Sequence, residues 1–506
     1  MTVYNVNRGI GWASSGVEYA QAYRAGIFRK IGQDSKFIFT DMFQAENLAH
    51  FTANIGFEDD EIIWLYGFFT DVKVAATTYS LEQFEGSLTD DFQKVNQTSE
   101  TVRYQHVDKE LTIAVFLRKG ESSYVQRVEF LSKGKLIRKD YYSYTRIFSE
   151  YYAPKDNKPH IYQRTFFNED GSVAYEENCD GERSIFRFSN TILYSKEELI
   201  GYMFELLKLT SQDVILIDRA TGVGPAILRH KGPAKAVVVV HAEHYSLGAT
   251  TEHTVLWNNY YEFQFSNADK IAAFIVSTDA QKQVLEEQFA TYTDMKPKVI
   301  AIPVGSLDQL YHSKDGRKPY SLLTCSRLAS EKHIDWLVEA VVLAQKDIEG
   351  LTFDIYGEGG QRATLERLIQ EYQAQDFIKL RGHHNLTKVY QQYEVYLTAS
   401  TSEGFGLTLM EAIGSGLPII GLDVPYGNTT FVQNRKNGYL IPRTQPDNAK
   451  QYAQSFAKAL VELYQSNDLS TYHQTSYQRA EEFLTSRLEE TWKAAIKEVV
   501  EYDTTV

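Results

Sequence analysis

Two patterns of hydrophobic and polar positions divide the chain. Runs made mostly of β-branched and other apolar residues occur at positions 214–217, 236–240 and 271–278. Strands that are buried on both faces of a parallel sheet have this composition. Segments with helical spacing of apolar residues separate the runs. These parts of the chain are therefore predicted to fold as α/β units with parallel sheets.

Residues 102–193 have a different pattern, in which apolar and polar positions alternate. Turn signals containing glycine interrupt it at 118–120, 132–134, 168–171 and 180–181, as expected for hairpins. Several short strands in succession predict an antiparallel β-meander. It is inserted in the first α/β unit, because the α/β pattern resumes near Lys196. A tyrosine cluster at 141–144 either binds a partner or packs this small sheet.

A glycine loop between a predicted strand and a predicted helix, at residues 393–418, is the most informative stretch. Residues 393–397 alternate aromatic and branched side chains, Gly404 and Gly406 follow, and helical spacing begins at Leu407. The unpaired N–H groups and the positive dipole end of such a helix face whatever lies above the loop. An anion or a row of hydroxyl groups suits this arrangement.

Two glutamates, Glu403 and Glu411, flank this turn. On one helix, eight residues would separate them by about 12 Å of rise and about 80° of rotation. A retaining glycosidase instead holds its two carboxyl groups about 5 Å apart. We therefore expect the two carboxylates to bind different parts of one long ligand. The alternative is an ordinary turn with two solvated glutamates.

The net charge of the chain implies that any anionic ligand needs a local basic site. The 506 residues carry a formal net charge of −14, so the surface has no bulk attraction for nucleic acid or acidic membranes. Arg327 and Lys332 lie five positions apart in the loop after a predicted strand. A planar guanidinium and a mobile ammonium together suit a diphosphate. The alternative is a pair of solvated surface charges.

Two positions in the first α/β unit are further candidates. Gly16 belongs to a loop of small residues that permits the backbone to approach a phosphate or sugar. His241 follows the run 236–240, at the sheet edge where open α/β folds bind ligands, and it could hydrogen-bond a sugar hydroxyl. Glu243 and His244 could form a zinc pair, but no third ligand is evident, so we expect no metal.

The remaining features predict a cytoplasmic protein. Two cysteines, Cys179 and Cys325, are too few for a disulfide framework or a metal cluster. The N-terminus lacks the basic-then-apolar pattern of a signal peptide. No apolar run approaches the roughly 20 residues of a membrane span.

The string from Glu403 to Ala412, with its E-x7-E spacing, is similar to the signature of retaining, nucleotide-sugar-dependent glycosyltransferases of family four, which have the GT-B fold. Residues 12–20, 240–246 and 401–406 resemble one group within that family more closely. This group comprises the catalytic subunits of bacterial enzymes that place N-acetylglucosamine on serine-rich-repeat adhesins. The resemblance runs from Thr2 to about Lys497.

The resemblance implies two Rossmann-like domains that face a cleft, with the β-meander inserted in the N-terminal one. We expect the N-terminal, acceptor-side domain at 1–69 and 194–305 and the inserted sheet at 70–193. The C-terminal, donor-binding domain is expected at 306–485, and a helix at 486–506 is expected to return to the N-terminal domain.

The resemblance also implies roles for the candidate residues. Arg327 and Lys332 would hold the diphosphate and stabilise the leaving group, while Glu403 and His241 would act on the sugar. Glu411 would hold the ribose, and the strand end at His383 would seat the base. The remaining donor contacts would come from Gly16 and from backbone N–H groups of Gly404, Phe405, Gly406 and Leu407.

The expected activity is retaining transfer of N-acetylglucosamine from UDP-N-acetylglucosamine to Ser/Thr of a serine-rich-repeat protein, the first step of its O-glycosylation. The resemblance implies no cofactor, no nucleic acid and a homologous, acceptor-binding partner subunit. It leaves open a peripheral association with the membrane through that complex. Two alternatives are a teichoic acid α-glucosyltransferase and a non-catalytic acceptor-binding subunit. Retention of Arg327, Lys332, Glu403 and Glu411 argues against the latter.

Overall fold

The computed structural model describes residues 1–12, 14–181, 183–314, 316–466 and 468–501, without the side chain of Ser122. Ala13 of the N-terminal glycine loop and residues 502–506 of the expected C-terminal helix lie outside the described residues. The chain starts with β1 (Val3–Asn7), α1 (Gly16–Ile31), β2 (Ser35–Phe39), α2 (Leu48–Asn54) and β3 (Ile62–Trp64).

A capping box fixes the start of α1 directly after the glycine loop. The Ser15 hydroxyl accepts from the Val17 N–H at 3.3 Å, and Glu18 accepts from the Ser15 N–H at 2.6 Å. The first orphan donors of the helix are thereby satisfied.

The inserted segment forms the predicted meander. Ten strands pair in sequence order into one sheet, and all the pairs are antiparallel. Left-handed Gly120 (φ 84°) and Gly134 (φ 71°) lie in two of the predicted hairpin turns. The elements are α3 (Leu81–Gly86), β4 (Phe92–Gln97), β5 (Thr101–His106), β6 (Leu111–Arg118), β7 (Glu121–Ser132), β8 (Lys135–Tyr142), β9 (Arg146–Lys155), β10 (Lys158–Phe167), β11 (Val173–Asp180), β12 (Arg183–Arg187) and β13 (Ile192–Leu193).

The tyrosines at 141–144 pack this sheet. Tyr141 and Tyr142 are each 7% exposed. Tyr141 stacks on Phe148 with ring centroids 4.3 Å apart, and Tyr142 stacks on Tyr79 at 4.6 Å. Of the two interpretations that the sequence allowed, the structure therefore supports packing for these two rings.

The first α/β domain then resumes and completes a seven-stranded parallel sheet. The strand order is β17-β16-β15-β14-β1-β2-β3. Residues directly after β1, β14 and β15 therefore meet at one edge of the sheet. The elements are α4 (Lys196–Leu207), β14 (Val214–Ile217), α5 (Gly224–His230), β15 (Lys235–Val240), α6 (Glu262–Ser266), β16 (Ala273–Val276), α7 (Asp279–Tyr292) and β17 (Val299–Ala301).

The second α/β domain contains a six-stranded parallel sheet with the order β20-β19-β18-β21-β22-β23. The helix of the glycine loop begins at Leu407, as predicted. The elements are β18 (Ser321–Cys325), α8 (Ile334–Ala344), β19 (Thr352–Tyr356), α9 (Arg362–Glu371), β20 (Ile378–Gly382), β21 (Val395–Thr398), α10 (Leu407–Gly414), β22 (Ile419–Asp423), α11 (Gly427–Phe431), β23 (Gly438–Pro442), α12 (Ala449–Gln465) and α13 (Leu469–Ala480).

The last described helix, α14 (Thr485–Glu501), packs on the first domain. Trp492 is 4% exposed, and its ring meets Phe28 of α1 edge-on at 5.3 Å. The guanidinium of Arg24, also on α1, lies 5.4 Å from the same ring. Within the described ranges, no helix combines the length and the hydrophobicity that crossing a bilayer requires.

Replacing Trp492 with alanine should lower the free energy of unfolding of the first domain by about 3–5 kcal/mol, because it removes a buried aromatic ring and leaves a cavity. Urea unfolding followed by circular dichroism measures this loss. The matched control is Lys497→Ala on the same helix, whose side chain is 75% exposed. An equal, small effect of both substitutions would contradict the proposed anchoring by Trp492.

Candidate active site

The carboxyl edges of the two parallel sheets touch at the glycine loop. A Cβ atom on Gly404 would lie 2.7 Å from the backbone carbonyl oxygen of His241, which follows β15. Nearby, the Ser402 hydroxyl donates to the Glu243 carboxylate at 3.2 Å. The loop after β21 in the second domain therefore faces the edge of the first sheet. Ligands bind at such edges and in the clefts between domains.

Backbone contacts from the second domain hold the glycine loop in place. The Glu403 carbonyl accepts from the N–H groups of Tyr426 and Gly427, both at 2.8 Å. Gly406, in the left-handed conformation (φ 89°), directly precedes α10. The side chain of Phe405 is 4% exposed and its ring packs on Phe431 at 5.0 Å. Any contribution of Phe405 to ligand binding must therefore come from its backbone, as the sequence analysis expected.

Lys332 and Glu403 form an ion pair at the centre of this site. The Lys332 ammonium donates to Glu403 Oε2 at 2.8 Å, and both side chains are 21% exposed. The sequence analysis gave them separate roles, one with the diphosphate and one with the sugar. The structure brings them together, because the loop after β18 and the loop after β21 leave neighbouring strands of the sheet.

Arg327 has different surroundings from Lys332 although both belong to the loop after β18. Its side chain is 72% exposed, and its described ion pair is with Glu331 at 3.3 Å. A surface pair of this kind contributes little free energy, so the guanidinium can change partner at small cost.

Glu411 lies on α10 and is half-buried between the two domains. Its carboxylate accepts from the Tyr390 hydroxyl at 2.8 Å and from the Tyr23 hydroxyl of α1 at 3.4 Å. Burial raises the pKa of Glu411, although both tyrosine hydrogen bonds act to lower it. Among the described hydrogen bonds, Glu403 and Glu411 share no partner, and their action on different parts of a ligand stays a prediction.

A buried carboxylate that the sequence analysis missed holds His241. The His241 Nε2 lies 2.7 Å from Asp218 Oδ1, at the end of the neighbouring strand β14. Arg24 of α1 pairs with the same carboxylate at 2.6 Å, and Gln21 donates to it at 2.7 Å. Burial acts to raise the pKa of Asp218, but Arg24 and His241 outweigh it and lower the pKa to about 2.

The signal for this cluster was present in the sequence but was not specific. Asp218 directly follows the apolar run 214–217, and Arg24 lies in the predicted helix after the N-terminal glycine loop. Neither position in the sequence shows that the residue after β14 lies beside the residue after β15. The parallel pairing of β14 with β15 supplies that information.

The possible zinc pair, Glu243 and His244, has other partners. His244 is fully buried and hydrogen-bonds Gln288 at 2.8 Å, while Glu243 accepts from Ser402. Burial lowers the pKa of His244 to about 4, with the Gln288 hydrogen bond opposing the shift. No group of three or more potential metal-ligating side chains is found in the described part of the chain.

The two remaining candidates lie at exposed positions. Gly16 is the first residue of α1, and a Cβ added there would meet no atom within 4 Å. His383 is exposed and directly follows β20. Beside Gly16, the sequence analysis missed Arg219, which is 40% exposed and donates to the Ser15 hydroxyl at 2.8 Å. This places a further cation at the sheet edge.

Asp218→Asn should lower the free energy of unfolding by about 3–5 kcal/mol at pH 7, because Arg24, only 3% exposed, loses its carboxylate partner. A carboxyl group with a lowered pKa stabilises the fold above its unfolded pKa of about 3.9. That contribution disappears as the pH falls toward the folded pKa of about 2. The difference between wild type and variant should therefore shrink between about pH 4 and pH 2.

Urea unfolding at a series of pH values measures this difference. Asp269→Asn, at an exposed aspartate, is the control and should have little effect. A destabilisation by Asp218→Asn that stays constant down to pH 2 would contradict the assigned role of its charge.

Comparison with known proteins agrees with this geometry. The model described as "GtfA extended beta-sheet domain" matches residues 94–190, and "Glycosyl transferases group 1" matches residues 311–474. A Streptococcus agalactiae protein named UDP-N-acetylglucosamine--peptide N-acetylglucosaminyltransferase GtfA subunit is 60% identical over 501 residues, 99% of each chain. These matches confirm the resemblance inferred from the sequence.

Two solved structures extend the similarity to three dimensions. The crystal structure of the pneumococcal O-GlcNAc transferase GtfA in complex with UDP and GlcNAc is 51% identical, with a TM-score of 0.94 and 99% coverage of both chains. A crystal structure of a GtfA/B complex is 50% identical, with a TM-score of 0.94 and coverage of 99% of this chain and 100% of that chain. The predicted GT-B fold is confirmed. With 60% identity along 99% of its length, this chain belongs to the GtfA family of glycosyltransferases.

Proposed function

We propose that this protein transfers N-acetylglucosamine from UDP-N-acetylglucosamine to serine or threonine hydroxyls of a polypeptide, with retention of configuration. The observation that carries the proposal is the 60% identity along 99% of the chain to a peptide N-acetylglucosaminyltransferase GtfA subunit. The acceptor in this proposal is a serine-rich-repeat adhesin, and the transfer is the first step of its O-glycosylation.

The Lys332–Glu403 pair is the proposed centre of the donor site. Lys332 would share its charge between Glu403 and the diphosphate, with Arg327 turning from Glu331 to the same phosphates. Negative charge on the leaving phosphate grows toward the transition state, so cations there lower the barrier more than they strengthen binding. Glu403 and the N–H groups of residues 404–407 would hold the sugar hydroxyls.

The remaining roles follow from position. The Asp218 carboxylate lies 2.7 Å from Nε2 of His241, so Nδ1 is the ring nitrogen that remains for a contact outside this pair. His241 would meet the sugar from the first domain, and Glu411 would hold the ribose hydroxyls, with Tyr390 orienting its carboxylate. The acceptor hydroxyl would attack from the face that the diphosphate leaves, with the leaving phosphate taking its proton. No protein nucleophile, metal or cofactor enters this proposal.

We place the protein in a complex with a homologous, acceptor-binding subunit in the cytoplasm. A structure of a GtfA/B complex, similar to this chain over 99% of its length, supports a partner. The ten-stranded inserted sheet, which contains none of the candidate donor-site residues, would bind this subunit or the acceptor. Any membrane contact would be peripheral and made through the complex.

Intact-protein mass spectrometry tests the reaction. A serine-rich-repeat segment, incubated with this protein, the expected partner subunit and UDP-N-acetylglucosamine, should gain whole N-acetylhexosamine units. UDP-glucose should not replace the donor. Glucose transfer would favour a teichoic-acid-type glucosyltransferase. The absence of any transfer, with UDP still bound, would favour a non-catalytic subunit.

Lys332→Ala should lower kcat by about 10²–10³-fold, the loss typical of removing one group that stabilises transition-state charge. The affinity for UDP, measured by calorimetry, should fall much less. Lys388→Ala, at an exposed lysine of the same domain, is the control and should leave both unchanged. If only the KM for the donor rises, Lys332 anchors the ground state and the proposed role is wrong.

A further inference from the structure

A cavity of about 490 Å³ lies where the inserted sheet meets the first α/β domain. One wall is β3, the last strand of the seven-stranded sheet, and another is the irregular segment 70–75. This volume lies within the range of about 300–1,000 Å³ found for ligand pockets. None of the candidate donor-site residues lines the cavity.

The interior of the cavity is largely apolar, and Ile63, Trp64, Phe68 and Val74 contribute to it. Ser143 also lines the cavity and is only 2% exposed. Its backbone groups are paired, since its N–H donates to Thr145 and its carbonyl accepts from the N–H groups of residues 78 and 79. Its hydroxyl, however, has no hydrogen-bond partner among the described residues. A buried polar group of this kind costs free energy unless something pairs with it.

Carboxylates dominate the charge around the cavity. Glu46, Asp59, Asp60 and Asp71 line it, against one cation, Lys73. Glu46 is paired with His50 at 2.8 Å, and Asp71 accepts from the N–H of residue 169 at 2.7 Å. These two carboxylates are therefore satisfied within the chain.

Asp59 and Asp60 differ from the other two carboxylates. In the described ranges, neither side chain has an ion pair or a hydrogen bond, and Lys36 donates to the Asp60 backbone carbonyl. Burial raises the pKa of Asp59, His50 acts to lower it, and the adjacent Glu58 and Asp60 act to raise it. A cation bound beside this pair would relieve that repulsion.

We propose that this cavity binds a basic polypeptide segment, with an apolar side chain inserted beside Trp64 and a lysine or arginine against Asp59 and Asp60. Charge and apolar character argue for this occupant, because a basic segment supplies both an apolar side chain for the wall and a cation for the two carboxylates that lack a described partner. The site is independent of the transfer reaction, since it lies apart from the candidate donor residues.

Fluorescence polarisation with two labelled hexapeptides tests the charge preference. Both alternate leucine or phenylalanine with a charged residue, which is lysine in one and glutamate in the other. The lysine peptide should bind saturably, and the glutamate peptide should not bind at the same concentrations. Equal binding of both peptides, or no saturable binding of the lysine peptide, would overturn the proposal.

Paired variants locate the binding. Asp60→Lys should weaken the lysine peptide at least tenfold, whereas Glu349→Lys, an exposed site in the second domain, changes the net charge equally and should not. Val74→Trp should fill the cavity and weaken binding, whereas Val95→Trp, at a position 59% exposed, should not. Equal losses within the first pair would indicate attraction to the acidic surface only and overturn the proposal.

Thermal melting shows whether the variants fold. If Val74→Trp lowers the melting temperature, its weaker binding could reflect misfolding. The comparison of Asp60→Lys with Glu349→Lys then tests the proposal, because both substitutions replace exposed carboxylates. The Asp60→Lys variant should transfer N-acetylglucosamine at the same rate as the wild-type protein. The peptide assay does not depend on the transfer reaction. If the protein proved to have no transferase activity, the peptide result would still test this proposal.

Discussion

The contact between Gly404 and the carbonyl of His241 constrains the whole site. The second domain can approach the edge of the first sheet only because residue 404 has no side chain, since a Cβ there would lie 2.7 Å from that oxygen. The approach places the Lys332–Glu403 pair and the Asp218–His241 pair on opposite sides of one interface. A larger residue at 404 would separate the domains and with them the two halves of the site.

Each half of the site is held rigidly by groups behind it. Asp218 is fully buried and receives Arg24, Gln21 and His241, so the imidazole has one favoured orientation. On the other side, the N–H groups of Tyr426 and Gly427, at the start of α11, donate to the Glu403 carbonyl. Such positioning is expected where groups must meet developing charge with little reorganisation. Arg327 is the exception, because its exposed side chain is free to turn toward a ligand.

The acidic character of the chain gives these cations their importance. With a formal net charge of −14, the protein must attract a sugar nucleotide through a few local groups. Lys332 is paired with Glu403, which fixes the position of the ammonium and partly balances its charge. In the proposed site, a phosphate would share this cation. At the cavity beside Asp59 and Asp60 the unbalanced charge is negative, because neither carboxylate has an ion pair among the described residues. The same acidic chain thus contains one proposed site for an anion and one for a cation.

The local periodicities of the sequence predicted the α/β units and the inserted meander, whereas the arrangement of two domains around a cleft was implied by the family resemblance. Alternation between turn signals specified the meander, because hairpin strands pair with their neighbours along the chain. Apolar runs specified the parallel strands, and the glycine loop specified the start of α10 at Leu407. The type of each element follows from such local patterns, although the parallel pairing itself joins distant residues such as Val3 and Val214.

Only the tertiary structure decided which distant groups meet. Lys332 and Glu403 are 71 residues apart, and Gln21 and Asp218 are 197 apart. Their contacts follow from strand order, which brings loops and helices together without leaving a periodic signal in the sequence. The same holds for burial of Tyr141 and Tyr142, since composition alone does not show which face of a sheet is covered. The sequence by itself determined the elements and the residue types of the site, whereas packing between the sheets determined the partner of each side chain.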